Sequence, residues 1–103
     1  MEFGLKRIDL EYIIKTMEKF PEIEKAIIFG SRAKGNYKPG SDIDIAIYGE
    51  KINFDIVSKL HSNLEEKGPM PYFFDVVDVT HINHKELKEH IERVGKIIYS
   101  RIG

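Results

Sequence analysis

The sequence predicts an α/β (α+β) protein: a small mixed sheet with helices packed on one face. Three observations carry this expectation. Apolar residues recur at helical spacing towards both ends, short β-branched runs lie between them, and one segment, SDIDIAIY, alternates between an apolar and a polar side. The 103 residues, 42% of them hydrophobic, supply one core and no second, so residues 1–103 read as a single domain.

Leu10, Ile13, Ile14, Met17 and Phe20 form the stripe of a first helix after Asp9, an acceptable N-cap, and Pro21 stops the pattern. KAIIF, ending at Gly30, reads as a buried strand. In SDIDIAIY, Ile43, Ile45 and Ile47 share one face, while Asp42, Asp44 and Ala46 share the other. Phe54, Val57, Leu60 and Leu64 mark another helix, closed by Gly68-Pro69. Pro69, Met70 and Pro71 form a loop, and YFFDVVDV reads as a third strand. Asn83 with Glu86 resembles a capping box, followed by Leu87, Ile91, Val94 and Ile98 as the stripe of a last helix.

Composition excludes several classes of function. There are no cysteines, hence no disulfides and no thiolate metal site. Sixteen basic against seventeen acidic residues leave a net charge of −1, which does not suit a protein held on nucleic acid by bulk electrostatics. No window approaches a membrane span and the N-terminus lacks the pattern of a signal peptide, so the expected location is the cytoplasm.

The chemistry concentrates in FGSRAKGNYKPGSDIDIAIY, Phe29 to Tyr48. Gly30-Ser31 falls where a strand ends and a helical turn begins, so backbone N–H groups and the Ser31 hydroxyl can meet one anion. Arg32 and Lys34 add positive charge, with Arg32 a candidate phosphate contact, and NYKPG turns the chain back into the sheet. No Walker pattern occurs. Asp42 and Asp44 project from one face with Cα atoms roughly 6.5–7 Å apart, and repel each other unless a cation intervenes. Oxygen ligands beside phosphate suit Mg²⁺ or Mn²⁺, and a third carboxylate would complete a two-metal site. YFFDVVDV offers Asp75 and Asp78, on opposite sides of a regular strand, and alternation alone does not choose between them.

Gly30-Ser31, ten intervening residues and Asp42-x-Asp44 resemble the signature of the DNA polymerase β-like nucleotidyltransferase superfamily. The small size, GSRAKG…SDIDIAI and the closing LKEHIERVGKIIY resemble its minimal nucleotidyltransferases, the MNT antitoxins of HEPN/MNT toxin-antitoxin pairs, over Ala26 to Tyr99. The resemblance implies the nucleotidyltransferase fold and transfer of AMP from ATP to a tyrosine of a HEPN-domain toxin. It further implies that Gly30 and Ser31 hold the β- and γ-phosphates and that Asp42 and Asp44 bind two Mg²⁺ ions, with Mn²⁺ a substitute. Asp75 matches the family's third carboxylate, ligating the ion that activates the attacking hydroxyl.

Plainer readings stand beside these. Asp-x-Asp alone describes a solvated strand edge, Ser31 also suits a helix N-cap, and Arg32 and Lys34 also suit exposed helix charges. His61, His81, His84 and His90 show no zinc pattern and suit surface or capping roles. Tyr72, Phe73 and Phe74 suit a core strand or a stacked base. Larger relatives carry a second domain for base or acceptor, so the expectation is a partner or dimer mate that completes the pocket. The functional alternatives are a non-catalytic module that neutralises the toxin by covering it, and a nucleotidyltransferase acting on an aminoglycoside-like small molecule.

Overall fold

In the computed structural model, which describes residues 2–66 and 71–101, four strands form one mixed sheet. The elements in chain order are α1 (Arg7–Glu18), β1 (Lys25–Phe29), α2 (Ser31–Lys34), β2 (Ile43–Tyr48), α3 (Phe54–Glu65), β3 (Phe74–Asp78), α4 (Lys85–Val94) and β4 (Lys96–Ser100). The sheet order is β3-β2-β1-β4. β1 pairs antiparallel with β2 and β4, whereas β2 and β3 run parallel, joined by the crossover helix α3.

Alternation along the strands divides the core into two clusters. Ala26, Ile28, Ile43, Ile45, Ile47 and Phe74 pack under α1 and α3 through Ile13, Met17, Leu60 and Leu64. Ile27, Phe29, Ala46 and Val79 pack under Ile91 of α4, on the opposite face. The two long helices therefore cover one face as the sequence leads one to expect, while α4 departs from it. Ile27 and Phe29 are apolar, so this face of β1 also needs a cover.

Three boundaries differ from the sequence reading. α1 begins at Arg7, with Lys6 at the N-cap position, so Asp9 lies in the first turn. An acidic residue is favourable at either place, because both meet the positive end of the helix dipole. α4 is capped by His84, whose Nδ1 accepts the Leu87 N–H at 3.0 Å, one residue after the expected Asn83. The last helix ends at Gly95, and Ile98 belongs to β4. A Cβ at Gly95 would overlap Ile27 Cγ2 and the Ile91 carbonyl, so this tight exit admits only glycine. The spacing of Val94 and Ile98 fits a helix, which hid the β-branched run KIIY. The closing Gly68-Pro69 of α3 and most of the 69–71 loop lie outside the described residues. No helix among the described residues is long and apolar enough to cross a membrane.

Candidate functional site

β1 delivers the chain to Gly30, whose φ of 74° and ψ of −153° lie in a region essentially reserved for glycine. This abrupt change of direction starts α2, a single turn whose first N–H groups, on Ser31, Arg32 and Ala33, precede any intrahelical acceptor. Glycine is required for a second reason: a Cβ there would overlap Asp44 Oδ2. The phosphate-type turn and the central carboxylate are therefore in direct apposition.

Asp44 lies in β2 between Phe29 of β1 and Asp75 of β3, its register partners on either side. Directly paired residues in neighbouring strands point to the same face, roughly 4.8 Å apart at the backbone. Asp42 shares that face two residues earlier. Burial raises the Asp44 carboxyl above its usual range, and the charges of Asp75 and then Asp42 push it further the same way. Asp42 and Asp75 are exposed and Asp44 is half-buried.

Asp78 goes elsewhere. It pairs in register with Ile47, on the α1/α3 side of the sheet, and its Oδ2 lies 2.9 Å from His81 Nδ1. Its Oδ1 is buried without a hydrogen-bond partner. β3 runs in unbroken register from Phe74 to Asp78, so no bulge brings Asp78 round to Asp44.

Arg32 does not take the place expected of a phosphate contact. It is 3% exposed, its Nε and Nη2 donate to the Ser41 carbonyl at 3.1 and 2.8 Å, and Nη1 donates to the Phe3 carbonyl at 2.9 Å. Its guanidinium lies 5.3 Å from the Tyr37 ring and 5.0 Å from the Tyr72 ring. The side chain thus pins the Lys38–Ser41 turn, where Ser41 N donates to Lys38 O, and fixes the residue just before Asp42. Lys34 is exposed.

A comparable attachment holds the residue before Asp75. Phe73 O accepts from Ile43 N and Val79 N donates to Ile47 O, so the odd-numbered residues of β3 face β2. Phe74 then presents its N–H and C=O to the free edge, where α3 meets both. Its N–H donates to Glu65 Oε2 at 2.7 Å, and its carbonyl lies 3.0 Å from His61 Nε2, which is 2.8 Å from the same Glu65 oxygen. Set between two oxygens, His61 Nε2 is the donor. Sequence reasoning placed His61 on the surface and passed over Glu65; the signal was their i, i+4 spacing on a helix that crosses to the site strand.

All three carboxylates offer hard oxygen donors, and the mutual repulsion felt at Asp44 is of the kind a divalent cation relieves. Among the described residues no three His, Asp or Glu side chains converge as a ready-made cage. The set therefore fits ions whose coordination substrate oxygens and water complete, as is usual for Mg²⁺ with phosphates.

The chain is similar to proteins already known. The "Polymerase beta, Nucleotidyltransferase" family profile matches residues 11–102. The protein adenylyltransferase MntA of Aphanizomenon flos-aquae is 30% identical over 101 residues, covering 90% of this chain and 67% of that protein. A chain in a crystal structure of a toxin-antitoxin with AMP-PNP superposes with a TM-score of 0.76 at 23% identity, covering 90% of this chain and 74% of that one. A chain in the complex of a tri-AMPylated Shewanella oneidensis HEPN toxin with its MNT antitoxin gives 0.72 at 20% identity, covering 93% and 73%. The profile spans most of the chain and MntA is 30% identical across two thirds of its own length, and the chain belongs to the polymerase β nucleotidyltransferase family.

Proposed function

We propose that this protein is an antitoxin that transfers AMP from ATP to a tyrosine hydroxyl of a HEPN-domain toxin in the cytoplasm, acting as one minimal nucleotidyltransferase domain over residues 1–103. The observation that carries the reading is the Gly30–Asp44–Asp75 apposition: an anion-binding turn against a strand pair bearing facing carboxylates. The similarity to MntA and to MNT–HEPN complexes supports the choice of nucleotide and acceptor.

In this reading the α2 N–H groups and the Ser31 hydroxyl hold the β- and γ-phosphates, and Gly30 lets them approach the backbone. Asp42, Asp44 and Asp75 would hold two Mg²⁺ ions, or Mn²⁺ in their place, which supply neutralisation of the triphosphate and a lowered pKa for the attacking hydroxyl. The tyrosine oxygen bonds to the α-phosphorus, the bond from that phosphorus to the bridging oxygen breaks, and pyrophosphate leaves with the electron pair. In this reading Asp75, exposed on the open side, also takes up the hydroxyl proton. Four cavities among the described residues have none of the three carboxylates in their lining. The acceptor protein, or a second subunit of a homo- or hetero-oligomer, then supplies the missing wall.

Incubation with the HEPN-domain protein of the same genome and Mg-ATP should add discrete AMP increments to that partner's intact mass. Asp42→Ala should add none. A partner that is inhibited in a stoichiometric complex yet unmodified would replace transfer with neutralisation by binding alone.

A further inference from the structure

We infer that His61 and Glu65 are positioning residues for the third carboxylate: together they clamp the free edge of β3 at Phe74 and so set where Asp75 stands. The inference rests on the nucleotidyltransferase reading of the Asp42, Asp44 and Asp75 set.

β3 is an edge strand bound to the sheet on one side only. The β2 ladder fixes its register, yet nothing in that ladder restrains the outer groups of Phe74, and an exposed edge of this kind frays. α3 supplies the restraint. Glu65 accepts the Phe74 N–H, His61 donates to the Phe74 carbonyl, and the short His61–Glu65 contact locks the two side chains to each other. The next residue is Asp75. Holding both peptide groups that flank the Phe74 Cα fixes the plane of the peptide leading into Asp75, and with it the direction in which the carboxylate leaves the strand.

The clamp differs from an ion pair elsewhere on α3. Asp55 and Lys59 also lie at i, i+4, 3.1 Å apart, but their side chains are 69% and 62% exposed. Glu65 is 20% exposed, and its oxygen serves a backbone group of the site strand. Exposed pairs like the former contribute little, whereas supporting groups around metal-binding carboxylates set ligand geometry.

The test is titration of Mn²⁺ into the full chain with AMP-PNP, free Mn²⁺ being read by electron paramagnetic resonance. Amide hydrogen exchange at residues 74–76 and thermal melts run in parallel. Glu65→Ala and His61→Ala should each weaken Mn²⁺ binding by about tenfold or more and speed exchange at 74–76. Glu65→Gln and His61→Gln, which keep an acceptor and a donor in place, should restore most of the affinity, and Lys59→Ala should change nothing. If Glu65→Ala fails to fold, the His61→Ala and His61→Gln pair carries the same comparison. Unchanged Mn²⁺ affinity in the alanine variants, with Asp75→Asn still weakening it, overturns the clamp alone. Wild-type protein that binds no Mn²⁺ with AMP-PNP overturns the nucleotidyltransferase reading and the clamp with it.

Discussion

Asp44 stands opposite Asp75 across the parallel pairing of β2 and β3 while its own carboxylate closes against Gly30. One side chain thus stands between the glycine turn and the facing acid. Its raised pKa records the cost of that position, first from burial and then from its acidic neighbours.

Replacing this residue separates stability from function. Because the folded pKa of Asp44 lies above its unfolded value, the folded state holds a proton that the unfolded state releases, and stability falls as pH rises from about the ordinary 3.8 through the raised value. Asp44→Asn removes that loss. In EDTA at pH 7 the variant should melt a few degrees above wild type, the difference should vanish below the ordinary carboxylate range, and AMP transfer should be abolished. A lower melting temperature at pH 7 would contradict the electrostatic account.

Gly30→Ala should fail on two counts. The backbone conformation costs on the order of 1–3 kcal/mol for a residue with a Cβ, and that Cβ displaces Asp44 Oδ2. Chemical denaturation should show the loss of stability, and calorimetry should show ATP binding lost even at temperatures where the variant remains folded.

The acids of β3 should separate cleanly. Asp75→Asn should remove transfer with little change in stability, since Asp75 is exposed. Asp78→Asn should retain most transfer, because its side chain faces the other side of the sheet and contacts His81. Measuring both rates on the same HEPN partner checks this, and loss of activity in Asp78→Asn alone would reverse the assignment.

Arg32→Lys tests the staple beneath Asp42. Lysine keeps the charge but not the planar fork, so the Ser41 and Phe3 carbonyls cannot both be satisfied, at a cost of about 1–3 kcal/mol. The expected result is a lower denaturation midpoint with weaker ATP binding. A normal midpoint with weaker ATP binding would instead return Arg32 to the phosphates.

Much of this was legible from local pattern. KAIIF and SDIDIAIY declare their strands because β-branched residues and strict alternation are short-range signals, and Gly30 announces a turn because no other residue adopts its backbone there. The placement of α4 was not legible, since an apolar stripe says that a helix is covered without saying by which face of the sheet. Nor was the fate of Arg32: an arginine after Gly-Ser is equally suited to a phosphate and to two carbonyls, and only the return of the loop decides. β4 was hidden by the coincidence that Val94 and Ile98 satisfy a helical spacing across the Gly95 break.

The pairing of β4 with β1 sets an order of assembly. β1 meets its β2 neighbour across residues 30–42, which hold α2, but its other partner, Lys96–Ser100, comes from the far end of the described chain. During synthesis the strand that carries the glycine turn therefore waits as an unpaired edge after most of the sheet has formed, open to any other strand with free peptide groups. Its bond to β4 is a long-range contact, the kind that closes slowly, so the strand leading into the glycine turn gains its full rigidity among the last events of folding.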